Sequence, residues 1–144
     1  MSTPFRLRLP RPLYREMLAH ARAELPNECC GLLAGRVEGA QAEAVRCYPL
    51  VNLLASPTEY DAEPASLFRA IRDMRPEGLD ILAFYHSHPT SPPLPSKKDL
   101  ARNYWGDAVI HFIISMVDEE PAMQGWWLRE DGFDAADWEL TDHP

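Results

Sequence analysis

The sequence predicts a single α/β (α+β) domain over residues 1–144, a mixed β-sheet flanked by about three helices. Three observations lead there. A chain of 144 residues suits one domain that buries its own core without disulfide staples. Apolar runs of strand length alternate with segments whose apolar residues recur at helical spacing. Fourteen prolines punctuate these segments.

Taken in order, Phe5–Leu9 alternates apolar and basic residues and reads as a short strand. Pro12 suits the first turn of a helix. Leu13, Met17, Leu18 and Ala21 carry its apolar face through Leu25, and Pro26 ends it. Cys29–Val37 and Ala42–Val51 read as strands paired in a hairpin through Glu38-Gly39. Residues 52–64 are rich in turn formers and read as a loop, and Ala65–Met74 as a second helix closed by Pro76 and Gly78. Leu79–Tyr85 is apolar throughout, as a central strand is. Pro89–Pro95 holds four prolines in seven residues and excludes regular structure. Ser96–Tyr104 reads as a short third helix and Ala108–Val117 as a strand. Gln124–Arg129 and Phe133–Leu140 read as two closing strands around a turn at Asp131-Gly132.

Composition narrows the function classes. Hydrophobic residues make up 46% and charged residues 25%, which is ordinary for a globular protein. A formal net charge of -8 repels phosphate backbones and argues against a nucleic-acid partner. No apolar run approaches the ~20 residues of a membrane helix. Arg6, Arg8 and Arg11 have no apolar stretch behind them, so no signal peptide is expected and the cytoplasm is the expected location. Cys29, Cys30 and Cys47 are odd in number and wrongly spaced for a cysteine zinc site, and are expected to be buried reduced thiols.

The chemistry lies in His86-Ser87-His88-Pro89. Side chains at i and i+2 of a strand share a face. Their Cα atoms sit about 6.6 Å apart, so two imidazoles can converge on one ion. Pro89 stops the strand and leaves the pair at a sheet edge. Asp99, ten residues further on, is a candidate third ligand from the first turn of the next helix. Two neutral imidazoles and one carboxylate leave a fourth position open for water, which is the catalytic pattern for zinc. The bland alternatives stand beside this. A lone His-x-His is more often a pair of ordinary surface or core histidines. Ser96-x-x-Asp99 is also complete as a helix capping box.

The joint pattern resembles the JAMM (MPN-plus) zinc metallopeptidase family in its compact prokaryotic form. Its elements here are His86-x-His88-Pro89, the ten-residue spacing to Asp99, Ser96 three residues before Asp99, and the upstream Glu28-Cys29-Cys30-Gly31-Leu32-Leu33. The resemblance implies a curved sheet flanked by helices, related in architecture to cytidine deaminases. It implies one Zn2+ per chain held by His86, His88 and Asp99. It makes Glu28 the general acid/base and Ser96 a hydroxyl that stabilises the oxyanion. Tyr60 and Asp61 resemble a segment that borders the active-site groove and are candidate substrate contacts.

Among the other histidines, His20 is expected to face solvent, His111 to be a satisfied structural histidine, and His143 to lie in the tail. Trp126, Trp127 and Trp138 are expected to pack the last strands. The resemblance further implies hydrolysis of an amide bond at the C-terminal Gly-Gly tail of a ubiquitin-like or sulfur-carrier β-grasp protein. The 45 residues after Asp99 are consumed by three strands and the rest of a helix, which disfavours the alternative of a ubiquitin-clamping deubiquitinase. A non-catalytic MPN scaffold is the other alternative, disfavoured because every ligand position is filled. The oligomeric state is not encoded in any of these features.

Overall fold

The computed structural model describes residues 5–103 and 105–142. Eleven elements follow in order: β1 (Arg6–Pro10), α1 (Arg11–Glu24), β2 (Cys30–Glu38), β3 (Gln41–Leu50), α2 (Pro64–Met74), β4 (Asp80–His88), α3 (Lys97–Ala101), β5 (Ile110–Ser115), β6 (Ala122–Arg129), β7 (Gly132–Ala135) and β8 (Trp138–Thr141). The strands form one eight-stranded sheet in the order β7-β6-β5-β4-β2-β3-β1-β8. The β4–β5, β1–β3 and β1–β8 pairs are parallel and the others antiparallel. Mixed order and three α-helices are what the sequence predicts. No helix among the described residues is long and apolar enough to cross a membrane.

One predicted strand is split in two. Phe133–Leu140 is not a single strand but two, β7 and β8, which lie on opposite edges of the sheet. Only Ala136 and Asp137 separate them. Three Cα steps reach at most about 11 Å, so the two edges must approach one another and the sheet must curl. The Ala136 N–H donates to the Gly125 carbonyl of β6 at 2.8 Å, and the Asp137 carbonyl accepts the Leu7 N–H of β1 at 3.0 Å. The link thus bonds to both margins of the sheet, which is why the strand has to break there.

Each face of the sheet is covered by one long helix. Leu13, Met17 and Ala21 of α1 pack with Leu33, Ala83, Tyr85 and Phe112. Ala70 and Met74 of α2 pack on the other face with Cys30, Leu32 and Ala34. Gly31 is required between them, because a Cβ there would meet the Tyr85 ring at 2.2 Å. His20 does not simply face solvent: its Nδ1 lies 2.8 Å from the Tyr85 hydroxyl, since α1 turns that side toward the sheet. Trp127 is buried in the α1-side core, and Trp138 meets Phe112 edge to face at 5.2 Å. All three cysteines are free thiols, Cys29 and Cys30 buried and Cys47 half-buried. His143 lies outside the described residues.

The register of β4 positions the site. Leu33 pairs with Ala83 but Ala34 pairs with Ile81, so Leu82 is bulged and joins Ala83 in the α1-side core. From Phe84 onward, even-numbered residues face the α2 side. The strand runs three residues past the predicted end at Tyr85, because parallel pairing with β5 continues from His86 opposite Ile113 to His88 opposite Ser115. The third helix is shorter than predicted, Lys97–Ala101, and its expected last residue, Tyr104, lies outside the described residues.

Candidate metal centre

His86 and His88 sit on the same face of β4, as the period of two requires, and both are buried. The proline-rich chain after Pro89 folds back over the strand end and delivers α3. Ser96 caps that helix: its side chain accepts the Asp99 N–H at 3.1 Å, and its own N–H donates to Asp99 Oδ2 at 2.9 Å. This is the capping box the sequence allows. The same Oδ2 lies 3.2 Å from both His86 Nε2 and His88 Nε2. Capping and convergence on the histidines are therefore two uses of one carboxylate oxygen, with the cap aiming it.

The three donor atoms form a triangle, with the two Nε2 atoms also 3.2 Å apart. A tetrahedral zinc with bonds of about 2.0 Å needs ligands about 3.3 Å from one another. The donor set and spacing fit such an ion and would leave its fourth position to water or substrate. His88 is oriented for this role: its Nδ1 lies 2.8 Å from the Pro92 carbonyl, which fixes the proton on Nδ1 and leaves the Nε2 lone pair free. His86 is held by the Tyr60 ring, stacked on it with centroids 4.5 Å apart.

Electrostatics point the same way. Burial lowers the His86 pKa and favours the neutral ring. Burial alone would raise Asp99, but hydrogen bonds with His86 and His88 outweigh it and hold the carboxyl well below its usual range. For His88, burial is outweighed in turn by Asp99, and its pKa rises. These two groups compete for a proton at a spot that a cation would satisfy better.

Glu28 is buried at the entrance to β2. Its N–H donates to the Ser56 carbonyl at 2.8 Å and its carbonyl accepts Asn52 Nδ2 at 3.1 Å. Burial pushes its carboxyl up to about 8, and the nearby His88 charge pulls the other way. Glu28, His88 and Ser96 line one cleft of about 370 Å³, with Thr58, Ser91 and Lys98 at its margins. The five residues singled out in the sequence thus fall into one place: three share a triangle and two share the adjoining cleft.

Four contributors had no strong signal. Asn52 organises the 52–62 loop, its Oδ1 accepting the N–H groups of Leu54 (3.1 Å) and Asp61 (3.0 Å). Its only hint was its place at the head of a loop of turn formers. Arg102 donates to the Tyr60 carbonyl (3.1 Å) and to Glu59 Oε1 (3.2 Å), tying this loop to the segment after α3. The Pro92 carbonyl orients His88. His111 is buried on β5, as expected of a structural histidine, but its Nε2 has no hydrogen-bond partner among the described residues. Asp61, a predicted groove residue, lines a second, smaller cavity beside Tyr60.

Known proteins resemble this chain along most of its length. The family model described as prokaryotic homologs of the JAB domain matches residues 10–129. A probable TtuB-protein conjugate cleaving protease of Thermus thermophilus is 44% identical over 100 residues, covering 69% of this chain and 64% of that protein. The chain thus matches less than two thirds of that relative's length. A desampylase of Haloferax volcanii is 32% identical over 129 residues, covering 86% and 90%. A CysO-cysteine peptidase of Mycobacterium tuberculosis is 31% identical over 113 residues, covering 78% and 75%. The solution structure of a protein from Desulfitobacterium hafniense superposes with a TM-score of 0.87 at 36% identity, covering 95% of this chain and 94% of that one.

Proposed function

The chain belongs to the family of prokaryotic homologs of the JAB domain, metallopeptidases of the JAMM type, and from that premise we propose that it hydrolyses the amide bond just after the C-terminal Gly-Gly of a small β-grasp carrier protein, with zinc as its metal. The observation that carries this reading is the triangle of His86, His88 and Asp99 beside a buried carboxylate. The relatives support a substrate of this kind, since their names describe a TtuB-protein conjugate cleaving protease, a desampylase and a CysO-cysteine peptidase. We read residues 1–144 as one such domain with one zinc. Three free thiols fit a reducing compartment, and we place the protein in the cytoplasm.

In this reading His86, His88 and Asp99 hold the metal. When bound, zinc supplies Lewis acidity, bringing the pKa of water from 15.7 to about 7. Glu28 takes the proton of the attacking water and passes it to the leaving amine. A carboxylate whose burial has raised its pKa, and which a neighbouring cation draws back toward neutrality, is suited to both halves of that transfer. Ser96 Oγ accepts the Asp99 N–H and still has its own O–H to donate, because a hydroxyl combines one donor with two lone pairs. We assign that proton to the oxyanion.

This division of Ser96 is testable. Ser96→Asp keeps an N-cap acceptor, so the melting temperature stays near wild type. It also places a negative charge where the oxyanion forms, and turnover should fall at least 10²-fold, on the order of losing an oxyanion-hole donor. Thermal melts and turnover measured side by side check this; an active variant leaves only the capping role.

The substrate assignment is tested by mass spectrometry on β-grasp carriers with extended tails, with Gly-Gly or Ala-Ala before the cut. Glycine is expected to be necessary because only a backbone without Cβ passes close to the buried triad. Cleavage after Gly-Gly, lost with Ala-Ala and lost on chelation, is the expected result. Efficient cutting of polyubiquitin with no action on extended carriers would replace this reading with the deubiquitinase one.

A further inference from the structure

The cavity beside Tyr60 has no part in the chemistry above. Its volume is about 130 Å³, and it is lined by Tyr60, Asp61, Ala62, Leu67, Phe84, Arg102, Trp105 and His111. It lies on the same face of the sheet as the metal centre, because Phe84 is two residues before His86 on β4 and His111 stands opposite Phe84 on β5. Part of its wall is apolar: Leu67, Ala62 and Phe84, with the Trp105 ring packed 5.0 Å from Phe84, while the exposed Asp61 carboxylate stands at its margin. The Arg102 guanidinium at its margin is already engaged by Glu59 and the Tyr60 carbonyl.

His111 is the anomaly. A buried imidazole nitrogen without a partner is costly, and such groups are uncommon in folded proteins. The Gly106 backbone raises the basicity of the ring, as a carbonyl beside Nδ1 does, and a proton held on Nδ1 leaves Nε2, which has no partner among the described residues, as an acceptor. Burial pushes the His111 pKa down to about 4, so the ring stays neutral at physiological pH. The cavity therefore offers an apolar wall and one desolvated acceptor.

We propose that this cavity is a specificity subsite for the side chain just before Gly-Gly, and that it selects a side chain with an apolar body and a hydrogen-bond donor at its tip, the donor going to His111 Nε2. This rests on the carrier-tail reading above. The distances agree. Two extended glycines span about 6.6 Å, the same as the two-residue step from His86 back to Phe84. A tail with its scissile carbonyl at the triad brings the third residue beside Phe84 and His111. The class includes tyrosine and arginine; leucine and phenylalanine lack the donor, and glutamate brings a second acceptor.

The test uses peptides ending in Xaa-Gly-Gly, with Xaa as Tyr, Phe, Arg or Glu, titrated into the intact protein and followed by the Trp105 indole N–H signal. Tyr against Phe isolates the hydroxyl in wild-type protein without relying on any variant. The expected result is about tenfold tighter binding for Tyr than Phe, the scale of satisfying a buried acceptor. The Trp105 signal should shift, Arg should bind at least as well as Phe, and Glu should bind worst. In His111→Phe the Tyr preference should vanish. Equal affinity of Tyr and Phe, or binding that leaves the Trp105 signal unmoved, overturns the subsite. Cleavage of carriers carrying the same four residues separates the two readings. Tails cut without regard to the third residue defeat the subsite and leave the carrier reading standing. Peptides that bind with the expected order while no carrier is cut leave the subsite standing and defeat the carrier reading.

Discussion

Glu28→Gln should bind one zinc per chain as wild type does and lose 10²- to 10⁴-fold in the rate of amide hydrolysis, the range for removing a general base. The substitution keeps the shape of the side chain and takes away only its capacity to accept a proton. Loss of zinc together with activity would mean that Glu28 is a ligand or a structural group. A second readout follows from its raised pKa. A carboxyl at about 8 in the folded state against 4.5 in the unfolded one holds its proton more tightly when folded. In the metal-free protein, the contribution of Glu28 to stability is therefore fullest below pH 4.5 and declines as the pH rises from there to about 8. Glutamine does not titrate, so the variant lacks this decline. Melting of the chelated proteins should show Glu28→Gln gaining on wild type between pH 5 and 8. An unchanged difference across that range would mean the carboxyl is not held in an unfavourable environment.

Removing the ligands should have the other large effect. His86→Ala/His88→Ala takes away two of three donors, and metal analysis should fall from about one zinc per chain to none, with activity lost completely. Full zinc retention by that double variant would remove the triangle from consideration. Affinity of the wild-type site should weaken as pH falls from 7.5 to 5.5, because a metal ligand must be deprotonated and Asp99 favours the proton on His88. Equilibrium dialysis at the two pH values measures it. Asp99→Asn is informative beside this, since asparagine still offers an oxygen to the Ser96 N–H and preserves much of the cap while removing the charge.

The parts of this protein legible in the sequence are those governed by a local period. His86 and His88 share a face because strands repeat every two residues, and the Ser96–Asp99 box is visible because caps have fixed spacing. The bulge at Leu82 lies upstream of Phe84 and so leaves the parity of the histidines untouched. Glu28 is different. Nothing about a glutamate before a strand marks it, and only its place in the joint pattern singled it out. The split of the last segment into β7 and β8 was illegible because the cause is the curl of the whole sheet, which no window of sequence contains. The same is true of Arg102 reaching Glu59 and of the His111 nitrogen left without a partner among the described residues. Both are consequences of which strands and loops become neighbours.

The two-residue link between β7 and β8 also has a kinetic side. β8 pairs with β1, and Arg6 bonds Glu139 across 133 positions of the chain. Contacts of such long sequence separation carry a large loop-closure entropy and tend to form late. The hairpin of β2 and β3, and β4 beside it, lie between residues 30 and 88 and need none of this seam. The β2–β3 hairpin and β4, which bears His86 and His88, can therefore associate while β8 is still being synthesised. Docking of β8 then becomes the step that commits the sheet to its final shape, and until it occurs β1 keeps an open margin that a neighbouring nascent chain could occupy.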